Sequence, residues 1–121
     1  MLLSGDYAPL VPCFKKLGVR QFVLEYATPR AGDVDVVGKA LSSREIGLGV
    51  VNPRTEEIES VETIVRNAER ALEYYRPEQI FLNPDCGFGC FANRCVNDES
   101  SAARKVGNIV KAAQHLREKY T

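Results

Sequence analysis

Residues 79–88 read QIFLNPDCGF, and this stretch decides the fold prediction. Its first four residues form a short apolar run, typical of a strand in a parallel sheet, and a loop that carries a cysteine follows directly. A second apolar run, QFVLEY at residues 21–26, carries a glutamate, Glu25, near its end. Because the carboxyl ends of parallel strands meet at one edge of the sheet, we expect Glu25 and Cys86 to lie on the same rim.

The remaining elements follow from apolar spacing and from helix-capping or helix-breaking residues. Helical spacing before Gly18 predicts a helix end there, and a weaker pattern predicts a short helix over residues 34–41. Residues 46–51, IGLGVV, form the middle strand, and their two glycines suit a place where a ligand or another backbone comes close. A helix capped by Ser60 runs to Tyr75 and is ended by Pro77. A last helix, capped by Ser100 or Ser101, is expected to bury five residues: Val106, Ile109, Val110, Ala113 and Leu116.

Strand and helix therefore alternate three times, which predicts an α/β fold with a parallel sheet. The chain has 121 residues, well short of the roughly 250 of a complete eight-stranded barrel. Three strands can form a small open sheet. A chain that opens on the tail of a helix and closes on a well-formed helix is more typical of the C-terminal part of a (β/α)8 barrel. We therefore predict one partial domain, residues 1–121, of about three β/α units.

The composition excludes several classes of function. Sixteen basic and sixteen acidic residues cancel, and Trp is absent, so neither a nucleic-acid surface nor a polybasic membrane patch is predicted. The sequence has neither a signal peptide nor the ~20 consecutive apolar residues of a membrane span. We expect a cytoplasmic protein whose partners are small molecules.

The four cysteines are too few and too unevenly placed for a secreted disulfide framework, which makes them reduced thiols or metal ligands. Cys13 lies among apolar residues at helical spacing, so a buried apolar role is expected for it.

Three segments resemble the C-terminal part of cobalamin-independent methionine synthase and its shorter relatives: FVLEY at 22–26, IGLGVV at 46–51 and NPDCG at 83–87. Residues 111–117, KAAQHLR, also fit that family's last helix. The resemblance implies a β/α barrel that binds zinc at its carboxyl rim. It also implies the transfer of a methyl group from a folate to the thiol of homocysteine, in methionine biosynthesis.

The resemblance also implies roles for individual residues. Cys86 corresponds to the family's last zinc-ligand cysteine and Glu25 to its glutamate ligand. The family's His-x-Cys ligands, on an earlier strand, have no counterpart here, because the single histidine, His115, lies in the last helix and is expected at the surface. The chain is therefore expected to begin after that motif, as a fragment that is inactive by itself.

Asp85 and Arg54 are predicted catalytic residues on the same rim. Arg54 stands where the family has a histidine thought to help protonate the folate leaving group. An arginine cannot give up a proton at physiological pH, but it can pair with a carboxylate, phosphate or sulfonate. The substitution keeps open an alkyltransferase of the same fold that acts on another thiol, such as coenzyme M.

The chemistry explains why a zinc site is needed. A thiol of ordinary pKa is mostly protonated at neutral pH and attacks carbon poorly. Zinc can accept the substrate sulfur by ligand exchange and stabilise its thiolate form. A glutamate is a weaker ligand than a thiolate, which suits it as the ligand that yields when substrate enters.

Other readings remain open from the sequence. Cys86 can be a small apolar residue in a buried turn, and Glu25 can form a salt bridge with Arg20 or Arg30. Cys86, Cys90 and Cys95 can form a local metal cluster, although their spacing matches no common pattern. The whole chain can be a non-catalytic half-barrel that serves assembly, with self-association through exposed barrel edges. A porphyrinogen-decarboxylase-like barrel shares the fold but gives no reason for the Pro-Asp-Cys-Gly motif.

Overall fold

The computed structural model describes residues 7–29, 32–88 and 97–120. Its strands are β1 (Gln21–Leu24), β2 (Glu45–Val51) and β3 (Ile80–Pro84). Its α-helices are α1 (Val11–Lys16), α2 (Asp35–Leu41), α3 (Val61–Ala71) and α4 (Glu99–Tyr120), with short 3-10 helices at Ala8–Leu10 and Pro77–Gln79. The predicted alternation of helices and strands is confirmed.

The three strands of the described ranges form one parallel sheet in the order β1-β2-β3. The register places Val23, Gly47 and Phe81 side by side in one row across the sheet. This order confirms the prediction that the strands are parallel and adjacent in sequence order. It also leaves β1 and β3 as the two edges of the sheet.

The two faces of the sheet differ in burial. On one face, Ile46, Leu48 and Val50 of β2 are buried in a core cluster that includes residues of α3 and α4. Phe22 and Leu24 form a second core cluster with residues of α2 on that face. On the opposite face Val23 is 62% exposed and Phe81 is 48% exposed. We call the face formed by Val23, Gly47 and Phe81 the open face.

β1 is two residues shorter than predicted, because the backbone after Leu24 bonds to side chains rather than to β2. The amide of Glu25 donates to the Tyr7 hydroxyl at 2.8 Å. The amides of Tyr26 and Ala27 both donate to a carboxylate oxygen of Asp85 at 3.1 Å. The chain therefore leaves the sheet at Glu25 and is held by residues distant in sequence.

α3 begins as predicted, since the Ser60 hydroxyl accepts a hydrogen bond from the amide of Thr63 at 3.1 Å. It ends earlier than predicted, at Ala71. Tyr75 still belongs to the core, where it is 4% exposed, but it reaches the core from the turn that follows the helix.

The predictions for α4 were wrong in two respects. Its cap is Asp98 rather than Ser100 or Ser101. The carboxylate of Asp98 accepts a hydrogen bond from the amide of Ser101 at 2.7 Å. Val106 and Val110, predicted to be buried, are 42% and 51% exposed, while Ile109 is buried. Within the described residues, α3 and the sheet cover only part of the apolar surface of α4.

Cys13 was also predicted wrongly, because it is exposed. The short helix α1 turns Val11 and Phe14 toward the core cluster of β1 and α2, which places Cys13 on its outer side. His115 is exposed, as expected. Cys90, Cys95 and Arg30 lie outside the described residues.

Among the helices that the structure describes, none is both long enough and apolar enough to cross a membrane.

Candidate functional site at the carboxyl rim of the sheet

The four predicted site residues all follow carboxyl ends of strands. Glu25 comes directly after β1, Arg54 lies three residues after β2, and Asp85 and Cys86 come directly after β3. Because the strands are parallel, these positions share one end of the sheet. We call this end, with Glu25, Arg54, Asp85 and Cys86, the rim.

Glu25 forms an ion pair across the rim. Its carboxylate lies 3.1 Å from the Arg54 guanidinium, and the two side chains are 42% and 41% exposed. Of the two arginines that the sequence left open as partners of Glu25, Arg20 pairs with Glu45 instead, and Arg30 lies outside the described residues. The hydrogen bond to Glu25 is the main reason that the pKa of Arg54 is raised, and the nearby Cys86 and Asp85 act in the same direction. Arg54 is therefore a fixed positive charge at the rim.

The backbone of Glu25 is held by Tyr7, a residue that the sequence reasoning missed. The Tyr7 hydroxyl accepts from the Glu25 amide at 2.8 Å and donates to the Glu25 carbonyl at 3.2 Å. Burial raises the pKa of Tyr7, so the phenol keeps its proton. Tyr7 lies eighteen residues before Glu25, outside any motif, so no local signal predicts the contact.

Asp85, which follows β3, is hydrogen-bonded to the segment that follows β1. Its Oδ1 accepts from the amides of Tyr26 and Ala27, and its own amide donates to the carbonyl of Val51 at 2.8 Å. Burial raises the pKa of Asp85 to about 6, and the two amide hydrogen bonds oppose this rise. Its carboxylate is thus engaged by the protein rather than directed at solvent.

The two glycines of β2 leave room for close contacts with neighbouring residues, and Gly49 does so at the rim. A Cβ on Gly49 would overlap the Asp85 carboxylate and lie 2.9 Å from the carbonyl of Leu24. A Cβ on Gly47 would lie 2.8 Å from the side-chain oxygen of Asn83 and 2.9 Å from Val23. The close approach predicted from these glycines therefore exists, and it is made by the protein's own side chains.

The donor set at the rim fits zinc in kind but not in number. A carboxylate (Glu25) and a thiol (Cys86) are ligand types that zinc takes, and structural or catalytic zinc needs three or four protein ligands. Across residues 7–29, 32–88 and 97–120, no three His, Cys, Asp or Glu side chains converge in a way that could hold a metal ion. The described residues therefore do not make a closed zinc site.

The profile of the family described as "Cobalamin-independent synthase, Catalytic domain" matches residues 4–115, nearly the whole chain. The chain belongs to this family. The resemblance seen in the three sequence segments is confirmed.

Methionine synthases are among the similar curated proteins. The chain is 38% identical to one from Pyrococcus horikoshii and 37% identical to one from Pyrococcus abyssi, each over 113 residues. Each match covers 93% of this chain and 31% of the relative. The chain thus spans about a third of the length of the curated relatives it matches.

A solved structure shows the same fold. It is a B12-independent methionine synthase from Shewanella sp. W3-18-1, solved in complex with selenomethionine. It superposes with a TM-score of 0.80 at 15% identity, over 93% of this chain and 31% of that one. The α/β fold of this member of the cobalamin-independent synthase family is therefore confirmed as three β/α units of a barrel.

Proposed function

We propose that this chain supplies part of the active site of a zinc-dependent methyltransferase of the methionine synthase type. The proposed reaction transfers a methyl group from a folate to the thiol of homocysteine and gives methionine. The chain acts as one partial domain, residues 1–121, of a larger barrel, and by itself it is inactive. One observation carries the proposal: in a chain of this family, Glu25 and Cys86 follow parallel strands and share the rim.

Glu25 and Cys86 are the proposed zinc ligands of this chain. The remaining ligands have to come from outside the described residues, because two donors do not make a zinc site. When bound, zinc would supply a positive charge that keeps a substrate thiol deprotonated at neutral pH. Tyr7 holds the Glu25 backbone and Arg54 pairs with its carboxylate, so in the metal-free chain the proposed ligand is kept at the rim.

Arg54 and Asp85 have supporting roles in this proposal. Arg54 keeps its proton, so it acts as a binding charge rather than as a general acid. If the Glu25 carboxylate were bound to zinc, the guanidinium of Arg54 would be available for an anionic group of a substrate. Asp85 keeps the segment after β1 in place through its two amide hydrogen bonds.

Arg54 also favours a second candidate. A guanidinium binds a sulfonate as readily as a carboxylate, so an alkyltransferase of the same fold that acts on a thiol such as coenzyme M fits the rim equally. The alternative from another class, a half-barrel assembly module, is supported by the open face.

Cobalt(II) titration tests the metal assignment, because thiolate coordination to cobalt gives a charge-transfer absorption that reports sulfur ligands directly. We expect weak binding of one ion by the 121-residue chain, with a thiolate band that Cys86→Ser abolishes. Glu25→Gln should weaken binding further but keep the band. Cys13→Ser is the matched control, because Cys13 is an exposed thiol on α1 and not one of the proposed ligands.

Two outcomes would overturn the assignment. An unchanged thiolate band in Cys86→Ser would remove Cys86 from the site. Tight binding that depends on Cys90 and Cys95 would instead establish a local cysteine cluster. If the metal assignment holds, adding homocysteine should strengthen the band, because a second thiolate joins the metal.

A further inference from the structure

The loop that carries Arg54 is held by the last helix, α4. Lys105 of α4 is completely buried, and its ammonium group donates to the carbonyls of Asn52 and Thr55, both at 2.7 Å. The same ammonium lies 3.4 Å from a carboxylate oxygen of Glu59. A buried charge is unfavourable unless it is paired and hydrogen-bonded, and these three groups provide its pairing.

Asn97, just before α4, holds the same loop. It is 5% exposed, and its side-chain amide donates to the carbonyl of Pro53 at 2.7 Å and to that of Thr55 at 2.9 Å. Together Lys105 and Asn97 bind the carbonyls of Asn52, Pro53 and Thr55, which lie on both sides of Arg54. The backbone around Arg54 is therefore fixed by side chains from the other end of the chain.

The rest of the loop adds to this restraint. The other carboxylate oxygen of Glu59 accepts from the amide of Asn52 at 2.7 Å, and the Asn52 side chain accepts from the amide of Arg54 at 3.0 Å. Asn108, one turn after Lys105, donates to the carbonyl of Glu59 at 2.8 Å. The Arg54 guanidinium leaves this loop to meet Glu25, 29 residues earlier in the chain.

We propose that Lys105 and Asn97 are positioning residues, which fix the loop of residues 52–55 so that Arg54 holds the Glu25 carboxylate at the rim. The last helix thereby controls the orientation of the rim without touching a substrate. The inference deepens the proposed function, because it concerns the residues that orient Glu25. The physical basis is that the backbone carbonyls of residues 52, 53 and 55 accept hydrogen bonds from the buried side chains of Lys105 and Asn97, and removing a donor leaves these carbonyls without that partner.

The test uses Lys105→Met, which keeps most of the length and the apolar part of the side chain and removes the donor. Lys111→Met is the matched control, because Lys111 is exposed on the same helix. The first readout is the NMR signal of the Arg54 guanidinium at low temperature, assigned by its loss in Arg54→Gln. We expect Lys105→Met to shift and broaden this signal toward that of a solvated arginine, and Lys111→Met to leave it unchanged.

The second readout is trypsin cleavage after Arg54, compared with cleavage after Lys39 in α2. A loosened loop should raise the rate after Arg54 at least tenfold and leave the rate after Lys39 unchanged, since only local opening exposes the loop. Equal increases at both sites would mean that Lys105 contributes only to global stability, and this would overturn the proposal. An unchanged Arg54 signal in the folded variant would overturn it as well.

Asn97→Ala keeps the test decisive if Lys105→Met does not fold. It removes the two hydrogen bonds to Pro53 and Thr55 and leaves the Lys105 ammonium in place. We expect the same selective change at Arg54, in smaller degree, and no change there would refute the positioning role. Both readouts are made without metal. They therefore test the positioning role alone, whereas the cobalt titration tests the zinc assignment at Cys86.

Discussion

Asp85 shows how a single buried carboxylate can couple the rim to pH. Its pKa in the folded protein is about 6 because of burial, against an ordinary value of 3.8. The folded state therefore binds a proton more readily than the unfolded chain does. By linkage, this group lowers the stability of the fold as pH rises from about 4 to about 6, and its contribution is constant above that window.

Asp85→Asn should remove this pH dependence. The amide oxygen can still accept from Tyr26 and Ala27, while the ionisation is gone. We expect the free energy of unfolding of the variant to rise relative to that of the natural protein between pH 4 and pH 7, by about 1–3 kcal/mol, since each unit of pKa difference corresponds to about 1.4 kcal/mol. Urea unfolding at a series of pH values measures it.

Asp98→Asn is the matched control for that experiment. The amide of Ser101 holds the pKa of Asp98 below its ordinary value, so its charge favours the folded state. The stabilisation by Asp98 is present above the unfolded pKa and is lost as pH falls through the folded one, which is the opposite sign to Asp85. Identical pH profiles for the two variants would contradict the assignment at Asp85.

The pair of Arg54 and Glu25 should matter for orientation and little for stability. Both side chains are about two-fifths exposed, and exposed ion pairs contribute only about 0–1 kcal/mol. We expect Arg54→Gln to lower the free energy of unfolding by less than about 1 kcal/mol, measured by urea denaturation. A much larger loss would mean that the pair is part of the core rather than of the rim.

At the scale of elements, β2 depends on glycine where it passes Asp85. Gly49→Ala would drive a methyl group into the Asp85 carboxylate and against the Leu24 carbonyl. The backbone and a buried carboxylate can move little to make room for the methyl group. We therefore expect a loss of about 1–3 kcal/mol in the free energy of unfolding. Thermal and urea unfolding measure this loss.

Gly107→Ala provides the opposite case on α4. A Cβ there meets no atom within 4 Å, and alanine is favoured over glycine in a helix by about 0.5–1 kcal/mol. The substitution should therefore stabilise the protein. If Gly49→Ala proved as harmless as Gly107→Ala, the tight contact between β2 and Asp85 would be contradicted.

The order of the elements was predictable because each strand is a short apolar run between helical patterns. The end of β1 was not, since it depends on Tyr7 and Asp85, which are far away in sequence. The buried face of α4 was only partly predictable, because Ile109 is buried as expected whereas Val110 is not. The spacing of apolar residues identifies the apolar face of a helix. How much of that face is buried depends on which other elements pack against it.

The position of the candidate site followed from the parallel sheet alone, whereas its internal contacts did not. Glu25 and Cys86 had to share a rim once their strands were parallel and adjacent. The partner of Glu25 was missed, because Arg54 reaches it only from a loop that α4 holds in shape. A buried lysine such as Lys105 is equally invisible in the sequence, where it resembles any solvated charge on a helix.

For the whole molecule, exposed apolar surface collects on the open face and beside β3. Val23, Phe81 and Val110 are 62%, 48% and 51% exposed. A groove of about 650 Å³ lies between α3, β3 and α4, and Phe81 and Val110 both line it. Since the chain covers 31% of the relatives it matches, we interpret this surface as the place where other β/α units of a barrel pack.

A sheet with apolar residues exposed on one face and unpaired edge strands tends to associate with another chain. We therefore expect the 121-residue chain to self-associate, with a sedimentation coefficient that rises over a hundredfold range of protein concentration. Phe81→Lys should suppress this association by placing a charge on the open face. Val19→Lys is the control, because Val19 is similarly exposed but lies before β1, at the amino end of the sheet. A chain that stays monomeric at every concentration, or that loses association equally in both variants, would contradict an interface at the open face.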